Sequence, residues 1–165
     1  MSEPLKSSLA DAFGVTDEAP VVRTALKCLV LPALVVGAAT GYSAAILAHL
    51  GARVTALESD PVLAARARVA LGDTVRVQEG PLEAGVADGA PYDLILIDGG
   101  VEIVPDTLIT QLAEGGRMVV IVHGSDGVGR ASKGVKRAGA VRLEPFAEAV
   151  AAILPPFRKA PAFQF

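Results

Sequence analysis

The apolar residues of this chain form short runs that are separated by glycine turns and by segments with helix-forming composition. Continuous or alternating apolar runs predict strands at residues 33–36, 53–58, 74–78, 92–97 and 117–122. The stretches between them predict helices at 41–50, 61–71 and 105–113. Strands that alternate with helices predict an α/β fold, a mostly parallel central sheet with helices on both faces.

The ends of the predicted helices carry recognisable signals. Ser59 or Asp60 is the expected N-cap of the second helix, because Pro61 suits the first helical position. Gly115 and Gly116 are expected to stop the third helix. Outside this alternation, residues 1–32 form a predicted helical leader before an α/β domain at 33–165, in which 135–143 and 162–165 are further predicted strands.

Composition narrows the function classes. The chain has 165 residues and a formal net charge of −3, and only 4% of its residues are aromatic, which argues against nucleic-acid binding. No apolar run reaches the roughly 18 residues of a membrane span. A polar N-terminus and a single cysteine predict a cytoplasmic protein. The late basic residues are predicted to lie on a solvated loop and strand edge; they are Arg130, Lys133, Lys136, Arg137 and Arg142.

Ligands of open α/β sheets bind beyond the carboxyl ends of the strands. The first strand ends in a glycine turn and a helix start, which present backbone N–H groups and a positive helix end; these residues are Gly37, Ala38, Ala39, Thr40, Gly41 and Tyr42. Glu58, followed by Ser59, ends the second strand about 20 residues after the turn, the spacing of an acid that accepts ribose hydroxyls. The alternative for Glu58 is a solvated carboxylate before the next helix.

The other strand ends offer weaker candidates. Residues after the third strand are predicted to lie against an adenine ring; they are Glu79, Gly80, Pro81 and Leu82. Asp98 either faces a cofactor or receives a proton from a substrate, or it belongs to an ordinary Asp-Gly turn. His123 is more typical of a strand-end hydrogen bond than of a base, and His49 of a surface position. No residue spacing indicates a metal site.

Four segments in order resemble the protein-L-isoaspartate O-methyltransferase family, across roughly residues 33–125. They are residues 40–45 (TGYSAA), 51–58 (GARVTALE), 90–97 (APYDLILI) and 112–119 (LAEGGRMV). Gly80, Pro81 and Leu82 are similar to bacterial members, and residues 161–165 to the C-terminal strand of the family. The resemblance implies a Rossmann-like class I methyltransferase fold with S-adenosylmethionine as cofactor and methyl transfer to a carboxylate of a damaged protein or peptide. It also implies that the glycine turn carries the methionine part, Glu58 the ribose, and residues 79–82 the adenine.

The chain departs from the family pattern at several positions. Val35 stands where the family has an acid, Ala39 where it has a glycine, and Pro81 where it has an aspartate. Members have a longer segment before the first strand, which lines the substrate site, so the resemblance implies no catalytic residue here. A non-catalytic binding or regulatory domain therefore stays an alternative, and apolar surface makes a homodimer plausible. A nicotinamide-dependent reductase is disfavoured, since Ile46 and Leu96 occupy the lysine positions of Tyr-x-x-x-Lys.

Overall fold

Five parallel strands form the body of the sheet in the residues that the structure describes. The computed structural model describes residues 31–159. Its strands are β1 (Pro32–Val36), β2 (Arg53–Glu58), β3 (Arg76–Glu79), β4 (Tyr92–Val101), β5 (Leu112–His123), β6 (Gly129–Arg137), β7 (Ala140–Val141) and β8 (Glu144–Glu148). The order is β3-β2-β1-β4-β5-β6-β7, and β8 pairs with β6. Strands β1 to β5 pair in parallel and the others antiparallel, so the predicted mostly parallel sheet is confirmed.

Helices cover both faces of this sheet, as predicted. They are α1 (Tyr42–His49), α2 (Pro61–Leu71) and α3 (Asp106–Gln111). Alternate side chains of a strand point to opposite faces, and β1 shows this directly. Ala33 and Val35 pack in the core that includes residues of α1 and α2, whereas Leu34 and Val36 pack in the core that includes Leu108 of α3.

Local signals at the second helix are also confirmed. Asp60 is the N-cap of α2, and its Oδ1 accepts hydrogen bonds from Val62 N at 2.7 Å and Leu63 N at 3.2 Å. Pro61 occupies the first turn, where its missing N–H costs nothing. Within residues 31–159 no helix has both the length and the apolar character to cross a membrane.

The predicted end of the third helix is wrong. Helix α3 ends at Gln111, and Gly115 and Gly116 lie inside β5 rather than after a helix. The pairing with β4 shifts register there, from Tyr92–Leu112 to Leu94–Arg117, so β5 contains extra residues. Gly115 has a φ of 78°, which a glycine adopts without strain. The two glycines thus accommodate a bulge in a strand.

The predicted strand at 135–143 is wrong as well. Strand β6 ends at Arg137, and β7 begins at Ala140. The intervening Ala138 and Gly139 have φ values of 50° and 79°. Two successive positive φ values are typical of a type I′ hairpin turn, which reverses the chain. The predicted leader, apart from Leu31 and Pro32, and the predicted strand at 162–165 lie outside the described residues.

Lys136 differs from the rest of the basic cluster because its side chain is buried. It is 8% exposed, and its Nζ donates to the carbonyl oxygens of Ile109 at 2.8 Å, Thr110 at 3.4 Å and Leu112 at 2.7 Å. These carbonyls lie at the end of α3, where a helix lacks internal donors and its dipole favours a cation. Lys136 therefore joins β6 to the end of α3.

Replacement of Lys136 should destabilise the fold. Lys136→Met leaves the carbonyl groups at the end of α3 without their charged donor, and we expect a loss of about 1.5–3 kcal/mol in the free energy of unfolding. Urea denaturation measures the loss. Arg137→Met at the next, exposed position is the matched control and should change stability by less than about 0.5 kcal/mol. Equal effects of the two substitutions would contradict this role.

Candidate functional site

The ends of β1 and β2 lie beside an inner part of β4 at one edge of the sheet. Val36 of β1 pairs with Leu57 of β2 on one side and with Ile97 of β4 on the other. The residues that follow them in the chain are Gly37, Glu58 and Asp98, which therefore lie abreast. We call this the carboxyl edge. Here the strand order reverses between β1 and β4, which is where ligands of open α/β sheets bind.

A tight turn joins β1 to α1 at the carboxyl edge. The amides of Gly37 and Ala38 both donate to Leu57 O, at 2.9 and 3.0 Å, and Gly41 N donates to Ala38 O at 2.8 Å. Gly37, Ala39 and Gly41 have φ values of 76°, 48° and 93°. The glycines adopt these values freely, whereas the left-handed conformation costs an alanine about 1–2 kcal/mol. The strained Ala39 needs a local interaction that holds it.

That interaction comes from Glu58. Its Oε2 accepts a hydrogen bond from Ala39 N at 2.7 Å, and its Oε1 accepts from Ser59 N at 2.8 Å, Asp60 N at 3.0 Å and Ser59 Oγ at 3.4 Å. The residue is only 6% exposed. Hydrogen bonds to a charged acceptor are about twice as strong as neutral ones. Glu58 therefore fixes the glycine turn, a role that the sequence prediction of a ribose acceptor did not include.

The start of α1 is open to a ligand. Gly41 is its N-cap and makes no side-chain capping bond, and the first turn holds no acidic residue. A Cβ at Gly41 would lie 2.6 Å from Leu71 Cδ1, so packing as well as φ requires glycine there. Thr40 is exposed and Tyr42 is 76% exposed. The positive end of the helix thus faces the turn, and no acidic residue of the helix's own first turn neutralises it.

Asp98 lies inside a strand rather than in an Asp-Gly turn. Strand β4 continues through Gly99 and Gly100 to Val101, with a shift in its pairing to β5. The Asp98 side chain is exposed, and its Oδ2 accepts a hydrogen bond from Ser43 Oγ of α1 at 2.6 Å. This bond spans the gap between β4 and α1. Ser43, which the sequence prediction did not include in the site, belongs to the carboxyl edge.

The residues predicted to contact adenine divide into two groups. Glu79 is exposed, and its Oε2 lies 3.8 Å from Nη1 of Arg68. Gly80 N donates a hydrogen bond to Glu58 O at 3.0 Å. Pro81 is exposed. Leu82 is 2% exposed and packs in the core, so its side chain contributes no surface to the site. Of the four residues predicted to contact adenine, Glu79, Gly80 and Pro81 therefore offer surface to a ligand.

A segment that the sequence prediction missed crosses the carboxyl edge. Residues 149–158, which we call the strap, pair with β4 through Gly100 N to Ala152 O and Leu154 N to Gly100 O, both at 2.9 Å. The Leu154 side chain lies against Gly37 and Gly99. A signal for this contact was the Gly99-Gly100 pair after an apolar strand, since glycine there allows another segment to approach closely.

Both histidines lie where the sequence predicts them. His123 lies at the end of β5, and its Nε2 is 3.1 Å from Ala151 O of the strap, which confirms the predicted strand-end hydrogen bond. His49 is exposed, as predicted. Within residues 31–159, no three His, Cys, Asp or Glu side chains lie close enough to hold a metal ion.

Relief of the strain at Ala39 should stabilise the protein. Ala39→Gly removes the cost of the left-handed conformation but adds freedom to the unfolded chain, so we expect a net gain of about 0.5–1 kcal/mol. Chemical denaturation measures the gain. Ala138→Gly is the matched control, because that alanine also has a positive φ but lies in the hairpin turn. A loss of stability at Ala39 together with a gain at Ala138 would contradict the interpretation.

Comparison with known proteins identifies the family of this chain. The model of the protein-L-isoaspartate(D-aspartate) O-methyltransferase family matches residues 25–150. Protein-L-isoaspartate O-methyltransferase of Methylorubrum populi is 49% identical over 92 residues, which are 54% of this chain and 43% of that protein. Protein-L-isoaspartate O-methyltransferase 1 of Anaeromyxobacter sp. is 46% identical over 100 residues, 58% of this chain and 47% of that protein. The chain thus spans less than half the length of these relatives.

Solved structures agree with the sequence comparisons. A protein-L-isoaspartate O-methyltransferase superposes with a TM-score of 0.71 at 26% identity, over 75% of this chain and 42% of that chain. A Plasmodium falciparum beta-aspartate methyltransferase in complex with S-adenosyl-L-homocysteine has a TM-score of 0.65 at 17% identity, over 86% of this chain and 76% of that chain, a likeness of fold. Since the family model matches well over half of the chain, including the residues of the carboxyl edge, the chain belongs to the protein-L-isoaspartate(D-aspartate) O-methyltransferase family.

Proposed function

We propose that this chain binds S-adenosylmethionine at the carboxyl edge and transfers its methyl group to the carboxylate of an isoaspartyl residue in a damaged protein or peptide. The observation that carries the proposal is the contact of Glu58 with the glycine turn at the point where the strand order reverses. Membership of the family supports the reaction. The chain spans less than half of its relatives, so the activity is a proposal for this chain.

The residues of the carboxyl edge fit a nucleoside cofactor. A carboxylate oxygen can accept two hydrogen bonds. Among the described residues, Glu58 Oε2 accepts one, from Ala39 N, and its remaining lone pair can accept from a ribose hydroxyl. The stretch 79–81, in which Glu79 and Pro81 are exposed, borders Glu58 through the Gly80 amide and suits the adenine side. On the other side of Glu58, the turn at Gly37 suits the methionine part.

The charged groups of the methionine part require partners of opposite charge. The uncapped start of α1 presents backbone N–H groups to a carboxylate. The family's acid at the end of the first strand is Val35 here, which is 0% exposed and packs in the core. Asp98, abreast of Gly37 and exposed, is the carboxylate that we assign to the ammonium group.

The reaction asks little acid–base chemistry of the protein. When bound, S-adenosylmethionine supplies an activated methyl group on a sulfonium sulfur. The accepting carboxylate is ionised at neutral pH, because its ordinary pKa is about 4. A carboxylate oxygen then forms a bond to the methyl carbon as the carbon–sulfur bond breaks, which yields a methyl ester and S-adenosylhomocysteine. The task of Glu58, the turn and α1 is to hold the reacting groups in line.

The methyl acceptor, the oligomeric state and the cellular location are inferred from the sequence rather than from the geometry of the site. Membership of the family supports a protein or peptide as the methyl acceptor. A homodimer and a cytoplasmic location stay predictions from composition and surface.

The cofactor assignment predicts measurable binding. We expect S-adenosyl-L-homocysteine to bind the wild-type protein in a calorimetric titration. Glu58→Gln places an amide N–H₂ where one carboxylate oxygen accepts hydrogen bonds, so affinity should fall roughly tenfold to hundredfold. Glu148→Gln on the exposed strand β8 is the matched control and should bind as the wild type does. No heat at millimolar ligand, or an unchanged affinity in Glu58→Gln, would contradict the assignment.

The substrate assignment predicts a difference between two isomeric peptides. With S-adenosylmethionine, we expect the protein to methylate a peptide that contains isoaspartate and not the same peptide with ordinary aspartate. The released S-adenosylhomocysteine measures the transfer. Cofactor binding without transfer to either peptide would favour a binding or regulatory domain and would contradict the activity.

A further inference from the structure

Leu154 of the strap occupies the room that two glycines leave at the carboxyl edge. A Cβ built on Gly37 would lie 3.1 Å from Leu154 Cδ1, and a Cβ on Gly99 would lie 2.7 Å from Leu154 Cγ. Since Cβ atoms in proteins essentially never lie within 3.0 Å of another heavy atom in this way, a side chain at position 99 would not fit beside Leu154. The Leu154 side chain therefore rests directly on the backbone of the glycine turn and of β4, at the point where these two elements meet.

The strap is fixed in this position from both ends. Ala149 N donates to Gly129 O at 3.0 Å, and Phe157 O accepts from Glu102 N at 2.9 Å and Ile103 N at 3.2 Å. The Phe157 side chain is 0% exposed and belongs to the core. Backbone pairing with Gly100 holds the middle. Displacement of the strap would break this core contact. Leu154 is therefore a fixed boundary of the site and not part of a movable lid.

The position of Leu154 relative to the proposed ligand follows from the strand order. Glu58 ends β2, Gly37 follows β1, and Asp98 lies near the end of β4, in this spatial order. A ligand whose ribose contacts Glu58 extends across the turn toward β4. Its far end, the amino-acid part, then meets the Leu154 side chain between Gly37 and Gly99.

We propose that Leu154 is a specificity-determining residue that limits the length of the amino-acid part of an S-adenosyl compound bound on the glycine turn. The inference rests on the proposed function, because it concerns the same cofactor site. An apolar side chain held against two glycines stops a longer ligand by contact. A smaller side chain at position 154 opens room at this end of the site and leaves the ribose end unchanged.

Calorimetric titration with three ligands tests whether Leu154 limits the length of the ligand. The ligands are S-adenosyl-L-homocysteine, its homologue with one more methylene between sulfur and the amino-acid carbon, and 5′-methylthioadenosine, which lacks the amino-acid part. One methylene in a well-packed site changes affinity by about tenfold or more. The wild type should therefore bind the longer homologue at least about tenfold more weakly than S-adenosyl-L-homocysteine, and Leu154→Ala should reduce this ratio to within about threefold.

Two further variants serve as controls. Leu154→Val removes less volume and should give an intermediate ratio, which tests the size dependence with little risk to folding. Ile153→Ala changes the neighbouring strap residue, whose atoms are not among those nearest to Gly37 or Gly99, and should keep the wild-type ratio. Binding of 5′-methylthioadenosine should be the same in all four proteins. Because the ratio is measured within each protein, a general loss of stability does not change it.

The outcomes separate this inference from the proposed function. An equal ratio in the wild type and Leu154→Ala, with normal binding of S-adenosyl-L-homocysteine, would overturn the role of Leu154 and leave the cofactor site standing. A change in 5′-methylthioadenosine binding that matches the change for the longer homologue would also overturn it. Failure of the wild type and all variants to bind any of the three ligands would overturn the proposed function, and this inference with it.

Discussion

The carboxylate of Glu58 is the constraint on which the carboxyl edge depends. It is buried, and its two oxygens accept hydrogen bonds from the turn after β1 and from the residues after β2. A buried carboxylate is tolerated only when donors satisfy it, and here backbone N–H groups supply them. The same bond holds Ala39 in a conformation that an alanine alone disfavours. One side chain thereby sets the shape of the turn and the position of the start of α1.

Glycines at the carboxyl edge leave space for other side chains of the protein as well as for a ligand. Gly41 makes room for Leu71 of α2, and Gly37 and Gly99 make room for Leu154 of the strap. A glycine-rich turn in this fold is usually explained by the close approach of a phosphate or a cofactor. Here part of that space is filled by the protein itself. The strap therefore helps to decide the size of the site.

The departures from the family pattern have physical explanations in the fold. Val35, at the position where the sequence resemblance implies an acid in the family, packs in the core with residues of α1 and α2 and is not exposed. A charge at that position would need partners that the apolar neighbours do not offer. Asp98, tied to Ser43 across the gap, keeps a carboxylate near the turn from another strand. Besides Glu58 of β2, a carboxylate near the turn is thus supplied by β4 rather than by β1.

The sequence by itself determined the alternation of strands and helices, the glycine turn, a cap at Ser59 or Asp60, and Gly37, Glu58 and Asp98 as candidates on the carboxyl side of parallel strands, because these depend on local pattern. It predicted Gly115 and Gly116 as a helix stop and missed the strap, since a bulge and a crossing segment depend on contacts between residues far apart in the chain. Only the tertiary structure decided that Glu58 binds the turn and that Leu154 lies on it. Packing, and not local pattern, determines which side chain occupies the space beside a glycine.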